Sequence, residues 1–161
     1  MSEVQTLRAE DANPVLAPQY AALCWRLRGG KARVLLVTSR DTGRWIIPKG
    51  WPMEGRAPAA AAAREAWEEA GVEGKVQSES LGVYTYVKTR PDAEDVPCAV
   101  EVFPLRVERL QRRYPERAQR RRKWFAPEKA ARKVSEPDLR ALILAFAEAT
   151  TEAAANAPAG D

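Results

Sequence analysis

The sequence predicts an α/β fold, with strands and helices sharing one domain. Two short apolar runs, residues 21–27 and 32–39, flank a turn that contains Gly29 and Gly30, and this pattern indicates a β-hairpin. A run of strong helix formers follows Pro58 and ends before a glycine, as helices commonly do. A chain of 161 residues, 45% of them hydrophobic, is long enough to bury one core.

Three further segments are predicted to be strands, because they are short and rich in β-branched or aromatic residues. They are residues 45–47, 76–88 and 98–107. Pro48 ends the first of them, and a polar loop joins the other two. A long basic loop is then expected before Trp124.

Two helices are predicted towards the end of the chain. Residues 127–133 begin with proline, and residues 137–151 have apolar side chains at helical spacing (Leu139, Leu142, Ile143 and Phe146). We therefore expect a single domain over residues 19–151. A flexible lead-in, residues 1–18, is expected before it, and a frayed alanine-rich tail, residues 152–161, after it.

The composition excludes several kinds of chemistry. The chain contains no histidine, so a histidine base, a Ser-His pair and a histidine-rich transition-metal site are ruled out. Cys24 and Cys98 are too few for a disulfide scaffold, which favours a reduced, cytoplasmic protein. No apolar run approaches the roughly 18 residues that span a bilayer, so no membrane partner is expected.

Three acids project from one face of the helix that follows Pro58. Glu65, Glu68 and Glu69 have i, i+3 and i+4 spacing, and the opposite face is almost entirely alanine. Their mutual repulsion and their position at the negative end of the helix dipole are each unfavourable by roughly 0.2 to 1 kcal/mol. A solvated acidic surface is one interpretation. A bound cation explains the cluster better, and carboxylates without His or Cys indicate Mg²⁺, with Mn²⁺ as the alternative ion.

Positive charge is concentrated in residues 109–123. This segment has eight basic residues and one acidic residue, a net charge of +7, whereas the whole chain carries +4. The segment is therefore a candidate anion-binding surface, and the alternative for any single residue is a solubilising charge. The candidate contacts to a polyanionic substrate are Arg44, Lys49, Lys88, Arg90, Arg121 and Arg122. Among the tryptophans, Trp45 and Trp51 are the best candidates for ligand contact.

The region around the acidic helix resembles the signature box of the Nudix family. That box reads Gly, five residues, Glu, seven residues, Arg-Glu, an apolar residue, any residue, Glu-Glu, any residue, Gly and an aliphatic residue. Gly50 and the segment REAWEEAGV, which begins at Arg64, match the box at the required distance. One position departs, because Arg56 stands where the box has its first Glu; Glu54 lies close by.

The resemblance extends beyond the box, over residues 21–146, and it implies both a fold and an activity. It implies an α/β/α sandwich around a central mixed β-sheet, with the box forming a loop-helix-loop. The segments TGRWIIPKGWPMEG and RRRKWFAPEKAARKV are similar to the branch that hydrolyses diphosphoinositol polyphosphates and dinucleoside polyphosphates. The implied activity is Mg²⁺-dependent cleavage of a phosphoanhydride bond in a small organic polyphosphate.

The resemblance also implies roles for individual residues. Glu65 and Glu69 are expected to bind Mg²⁺ together with the Gly50 carbonyl. Glu68 is expected to be a further ligand or the base that activates water, and Arg64 to hold the glutamates in register. A fourth acid from a later segment is expected, and the candidates are Glu94, Asp95, Glu101 and Glu116.

Two other functions compete with this one. The first is a nucleotide-type Nudix pyrophosphatase acting on a nucleoside triphosphate, ADP-ribose or capped RNA. The second is a non-catalytic Nudix-like module that binds RNA through residues 109–123. Because that segment lacks the interleaved aromatic residues that stack bases, the expected partner is a small-molecule polyphosphate rather than a nucleic acid. The sequence leaves the oligomeric state open.

Overall fold

The computed structural model describes residues 15–157, in which eight strands and three helices follow one another along the chain. The strands are β1 (Ala17–Arg28), β2 (Lys31–Thr38), β3 (Trp45–Ile46), β4 (Lys49–Gly50), β5 (Val72–Val76), β6 (Gly82–Lys88), β7 (Val96–Leu110) and β8 (Arg122–Phe125). The helices are α1 (Pro58–Ala70), α2 (Pro127–Lys133) and α3 (Pro137–Ala155).

The strands form one mixed sheet, as the resemblance implied. Its main order is β3-β2-β1-β7-β5, while β4 pairs with β1, β6 with β7 and β8 with β2. β1 and β7 run parallel, and every other pairing is antiparallel. β1 is therefore at the centre of the sheet. Its neighbours β2 and β4 end at the loops that build the site.

Helices cover both faces of the sheet. On β1 and β2, side chains alternate between the two faces, so Leu23 and Leu36 pack with α2 and α3, while Cys24 and Leu35 pack with α1. The face of α1 that meets the sheet carries Ala59, Ala62, Ala66 and Ala70, as the sequence predicted, and their small side chains let the helix lie close to the strands. The predicted α/β/α sandwich is confirmed.

The local predictions with the strongest turn signals are confirmed. Gly29 and Gly30, with φ of 59° and 79°, form the two-residue hairpin turn between β1 and β2. α1 ends at Gly71, whose left-handed φ of 67° lets its backbone N–H reach the last carbonyls of the helix. Residues 127–133 form a helix with the predicted bounds.

The largest departure from the predicted elements is β5. Residues 76–88 were expected to be one strand, but the chain forms β5, a loop and then β6. β5 has the sequence VEGKV, whose polar residues are exposed at the edge of the sheet, so it shows little apolar alternation. Gly74 is required there, because a Cβ would overlap the carbonyl oxygen of Arg106.

The ends of the domain also differ from the expected bounds. β1 begins at Ala17, inside the expected lead-in, and α3 continues to Ala155, four residues beyond Thr151. Residues 1–14 and 158–161, which include most of the lead-in and the end of the tail, lie outside the described residues. Both cysteines are free and buried. None of the helices in residues 15–157 combines the length and apolar character that crossing a bilayer requires.

Candidate functional site

A charged cavity lies beside α1, at the ends of β2 and β4. It has a volume of about 200 Å³, and we call it the carboxylate cavity. Its acidic lining residues are Asp41, Glu65, Glu69 and Glu116, and its basic lining residues are Arg40, Lys49, Lys88 and Arg120. The cavity can therefore hold both a cation and an anion that is bound to it.

Gly50 and Glu65 approach each other closely at one wall of this cavity. β4 holds Gly50 against Tyr20 of β1, and α1 carries Glu65 towards it. A Cβ on Gly50 would overlap the carboxylate of Glu65, so only glycine allows this approach. The backbone of the loop and an acid of α1 therefore meet at one point, although 15 positions separate them in the sequence.

Glu69 is a buried acid without a full set of partners. Its side chain is 4% exposed, and its Oε1 atom accepts no hydrogen bond. Its Oε2 atom lies 3.9 Å from Nη2 of Arg120. The pKa of Glu69 is raised to about 8, mainly by burial; Arg120 and Lys49 oppose this increase, and the neighbouring carboxyl group of Glu65 adds to it. A buried carboxylate oxygen without a donor is a position where a cation would compensate for lost hydration.

Glu65 lies next to Glu69, and the two acids form a pair in the carboxylate cavity. Burial raises the pKa of the Glu65 carboxyl group, repulsion from Glu68 and Glu116 adds to this, and its hydrogen bond with Glu69 opposes it. Two carboxylates at close range cannot both be charged without a compensating cation.

Glu68 is oriented differently from the other two acids of the trio. Its Oε2 atom accepts a hydrogen bond of 2.8 Å from Nε of Arg64, and it does not line the carboxylate cavity. Accordingly, within residues 15–157 no three His, Cys, Asp or Glu side chains converge as a ready-made metal site. The roles expected for Glu68 and Arg64 remain predictions.

The donors that do converge fit Mg²⁺. Glu65 and Glu69 supply two carboxylates, and Gly50 brings backbone beside them. Mg²⁺ commonly takes one or two carboxylates from the protein and completes its shell with water and substrate phosphates. The unsatisfied oxygen of Glu69 is a free ligand for such an ion, and the absence of a side chain on Gly50 lets the Glu65 carboxylate lie beside the backbone there.

Of the four candidates for a further acid, Glu116 is the one that lines the cavity. Its Oε1 atom accepts a 2.8 Å hydrogen bond from Nε of Arg120, and its backbone N–H donates to the carbonyl of Glu68 at 2.9 Å. The loop between β7 and β8 is thereby attached to the end of α1, which places Glu116 opposite the Glu65–Glu69 pair.

Lys49, Lys88 and Arg44 lie where a substrate could reach them. Lys49 and Lys88 line the carboxylate cavity, and all three line a smaller cavity that adjoins it. Nη1 of Arg44 donates to Oγ of Ser135 at 2.9 Å, so this guanidinium also links the β2–β3 turn to the start of α3.

The structure does not bring the other three predicted contacts to the site. Nε and Nη2 of Arg90 donate to the carbonyl of Glu94 in an exposed loop. Arg121 packs over the ring of Trp45, and Arg122 donates to the carbonyl of Ala70 at 2.6 Å, at the end of α1. These three guanidinium groups line neither cavity, because the local backbone directs them to other partners.

Arg120 is the member of the basic segment that enters the site. It is 9% exposed and lies between Glu69 and Glu116, in contrast to the neighbouring arginines. Its Nη1 atom also donates to the carbonyl of Thr38 at 3.1 Å, which fixes it against β2. The sequence shows four consecutive basic residues from Arg120 and carries no signal that would select this one.

Sequence reasoning missed other lining residues. Arg40 follows β2 and was not singled out, and Gln19 and Tyr86 fit ordinary strand positions. Here the Tyr86 hydroxyl donates to Oε1 of Gln19 at 2.8 Å across one wall of the cavity. Trp51, which is 44% exposed, lines the cavity as suggested, whereas Trp45 packs against Phe125.

The departure from the signature box lies outside the cavity. Arg56 and Glu54 are both exposed, and neither lines the site. The backbone N–H of Arg56 donates to the carbonyl of Met53 at 3.1 Å, which forms a turn in this part of the loop. Glu54 therefore does not replace the missing first Glu of the box in this arrangement.

Comparisons of sequence place the chain among known proteins. A sequence model of the NUDIX domain matches residues 17–146. Nudix hydrolase 12, mitochondrial, of Arabidopsis thaliana is 34% identical over 103 residues, which are 62% of this chain and 51% of that protein. Human diphosphoinositol polyphosphate phosphohydrolase 3-alpha is 34% identical over 112 residues, which are 68% of this chain and 64% of that protein. The matched region thus spans about half to two thirds of these relatives.

Comparisons of structure show the same fold. The crystal structure of C. elegans Ap4A hydrolase aligns with a TM-score of 0.64 and 20% identity, covering 83% of this chain and 98% of that one. The E. coli dihydroneopterin triphosphate pyrophosphohydrolase aligns with a TM-score of 0.64 and 16% identity, covering 84% and 99%.

Proposed function

The chain belongs to the Nudix family, and from this premise we propose that it hydrolyses a phosphoanhydride bond in a small organic polyphosphate with the help of Mg²⁺. The observation that carries the proposal is the buried Glu69 carboxylate with its unsatisfied oxygen, next to Glu65 and the Gly50 backbone. An RNA-binding module would have no use for such a pair, because burying two acids together is unfavourable without a cation.

The proposed substrates are a diphosphoinositol polyphosphate or a dinucleoside polyphosphate. The names of the human relative and of the C. elegans structural neighbour support these two classes. A nucleotide-type substrate is the second candidate, supported by the ADP ribose that is bound in the structure of the NUDIX domain of Shewanella oneidensis NrtR.

Glu65, Glu69 and the Gly50 carbonyl would hold the ion. When bound, such an ion would neutralise phosphate charge and make water in the cavity a stronger nucleophile. The water oxygen forms a bond to phosphorus, the anhydride P–O bond breaks, and the departing phosphate keeps the bonding electrons. Because the chain has no histidine, a carboxylate takes the proton of that water. Glu68 is proposed for this by resemblance, and Glu116 is the second candidate because it lines the cavity.

Lys49 and Arg120 are proposed to bind the phosphates. Both line the carboxylate cavity, and both exert their positive charge on Glu69. Nε and Nη1 of Arg120 donate to Glu116 and Thr38, which leaves Nη2 as the nitrogen that can donate to a phosphate oxygen. The loop that carries Arg120 therefore takes part in substrate binding as well as in placing Glu116.

The test of the proposed function is an assay of phosphate release. The full chain is incubated with Mg²⁺ and with a panel of diphosphoinositol polyphosphates, dinucleoside polyphosphates, nucleoside triphosphates and ADP-ribose. Mg²⁺-dependent cleavage of one class identifies the substrate. If no member of the panel is cleaved while RNA binds, the non-catalytic alternative replaces this proposal.

Mg²⁺ is expected to stabilise the protein, and more strongly at pH 8.5 than at pH 6. Because the pKa of Glu69 is raised from 4.5 to about 8, its protonated form stabilises the metal-free fold below pH 4.5, and this stability is lost as the pH rises through 8. The proton that competes with the cation is lost over the same range. Thermal melts with Mg²⁺ and with chelator measure the effect.

The matched variant for this measurement is Glu65→Gln, which is expected to lose most of the Mg²⁺-induced shift. The control is Glu79→Gln, because Glu79 is exposed and does not line the cavity. Shifts of equal size in Glu65→Gln and in the wild type would place the ion elsewhere.

Arg120→Gln is expected to raise KM for a polyphosphate substrate by about tenfold or more, since a charge-assisted hydrogen bond to phosphate is lost. The double variant Arg121→Ala, Arg122→Ala is expected to change KM by less than about twofold, because both side chains have other partners. It should instead lower the melting temperature, because the carbonyl of Ala70 loses its donor. Steady-state kinetics separate the two, and a larger KM effect in the double variant would show that the basic segment rearranges on binding.

A further inference from the structure

A second cavity adjoins the carboxylate cavity on the side where α3 begins. It has a volume of about 70 Å³ and shares lining residues, including Lys49, Tyr86 and Lys88, with the first. We call it the side cavity. The residues that belong to it alone are Thr42, Arg44, Tyr84, Val87, Thr89 and Glu136. A substrate bound at the Glu65–Glu69 pair can therefore place the group that flanks its phosphates in this cavity.

Glu136 lines the side cavity, and residues 15–157 supply no partner for its carboxylate. It is the residue before α3, yet its side chain makes no capping hydrogen bond to that helix. Within the described range of 15–157, its carboxylate forms no hydrogen bond or ion pair. Burial lowers the pKa of Lys49 and raises the pKa values of Tyr84 and Tyr86; the negative charge of Glu136 opposes the first shift and adds to the other two, as expected for a carboxylate that lies close to these groups.

The position of Glu136 is fixed by its neighbours. Oγ of Ser135 accepts the 2.9 Å hydrogen bond from Arg44, and the carbonyl of Glu136 accepts one of 3.0 Å from the backbone N–H of Arg140. Nε of Arg140 also donates to the carbonyl of Val134 at 3.0 Å. The segment before α3 is thereby held at both sides, so the carboxylate cannot leave the cavity by a simple movement of the backbone.

The charges of the site are balanced rather than strongly positive. The side cavity has three basic and two acidic lining residues, and the two cavities together have five of each. A ring that carries several phosphates brings a large negative charge close to Glu136, and like charges repel strongly where water is partly excluded. A hydroxyl group, in contrast, can donate a hydrogen bond to a carboxylate.

We propose that Glu136 determines specificity by accepting an uncharged, hydroxyl-bearing group of the ribose kind in the side cavity and by disfavouring a phosphorylated one. This inference rests on the proposed function and narrows its substrate to polyphosphates with a nucleoside end, of which the dinucleoside polyphosphates are the first choice. The role is one of positioning and selection, since Glu136 lines the side cavity and not the carboxylate cavity that contains the proposed metal ligands.

The test compares two substrates in variants of one residue. kcat and KM are measured with Mg²⁺ for diadenosine tetraphosphate and for a diphosphoinositol polyphosphate, in the wild type, Glu136→Gln and Glu136→Lys. Asp138→Asn is the control, because Asp138 is exposed in the first turn of α3 and lines neither cavity. For Glu136→Gln we expect KM of the diphosphoinositol substrate to fall by about tenfold and KM of the dinucleotide to rise a few-fold. Glu136→Lys should enlarge both changes.

A binding measurement keeps this inference separable from the proposed function. Calorimetry gives the Kd of inositol hexakisphosphate without turnover, and Glu136→Gln should bind it about tenfold more tightly than the wild type does. If the wild type cleaves neither substrate, these two proposed substrate classes fail, and the ratio of the two Kd values still tests the role of Glu136. Equal changes for the two ligands, or the same changes in Asp138→Asn, would overturn the role given to Glu136. Melting temperatures verify that the variants are folded.

Discussion

Glu69→Gln is expected to lower kcat by at least about 10²-fold while the fold is retained. The substitution keeps the shape of the side chain but removes the charge that we propose binds the cation, so the chemistry on phosphorus loses its main electrostatic support. Glu69 is 4% exposed, and its Oε1 has no hydrogen-bond partner among the described residues, so the proposed cation is the group that compensates its charge. Steady-state rates at saturating Mg²⁺ measure the effect.

The stability of the same variant gives a second readout. Since the pKa of Glu69 is raised to about 8, the wild type without metal must bury a charge above that pH, and glutamine removes this penalty. The melting temperature of metal-free Glu69→Gln at pH 9 should therefore equal or exceed that of the wild type. The exposed control Glu79→Gln should alter neither readout. Near-normal turnover by a folded Glu69→Gln would remove Glu69 from the metal site.

The parts of the fold that could be predicted are those with strong local signals. The Gly29-Gly30 turn, the helix from Pro58 to Gly71 and the helix 127–133 all begin or end at glycine or proline, whose backbone preferences act within a few residues. β5 was missed because an edge strand with polar residues has little apolar periodicity, and its pairing with β7 depends on residues far along the chain.

The candidate site also has residues that could be predicted from the sequence and residues that could not. The sequence predicts that Glu65 and Glu69 share one face of α1, because helix geometry places residues four apart on the same side. Glu116 and Arg120 lie in an irregular loop, and what places them is a hydrogen bond to the end of α1 and another to β2. Nothing in the run RRRK distinguishes Arg122, which reaches the carbonyl of Ala70, from the arginine that enters the cavity. Such orientations depend on tertiary contacts that a single sequence does not display.

Gly50→Ala is expected to abolish Mg²⁺ binding at the Glu65–Glu69 pair and to lower kcat by about 10²-fold. The added methyl group would occupy the space of the Glu65 carboxylate, so either this side chain or β4 must move. Backbone strain does not explain the effect, since Gly50 is not among the glycines with positive φ. The pairing of β4 with Tyr20 and Ala21 of β1 resists movement of the backbone, which leaves Glu65 as the group displaced.

A double-mutant cycle tests this explanation directly. In a Glu65→Ala background the space beside residue 50 is free, so Gly50→Ala should then cost little or no stability, whereas in the wild type it lowers the melting temperature. Gly50→Ala alone should also lose the Mg²⁺-induced thermal shift. Glu65→Gln should lose most of the same shift, because both substitutions remove the Glu65 carboxylate from the ion. If Gly50→Ala destabilises both backgrounds equally, the glycine serves β4 rather than the close approach to Glu65, and the case for Gly50 as part of the metal site is lost.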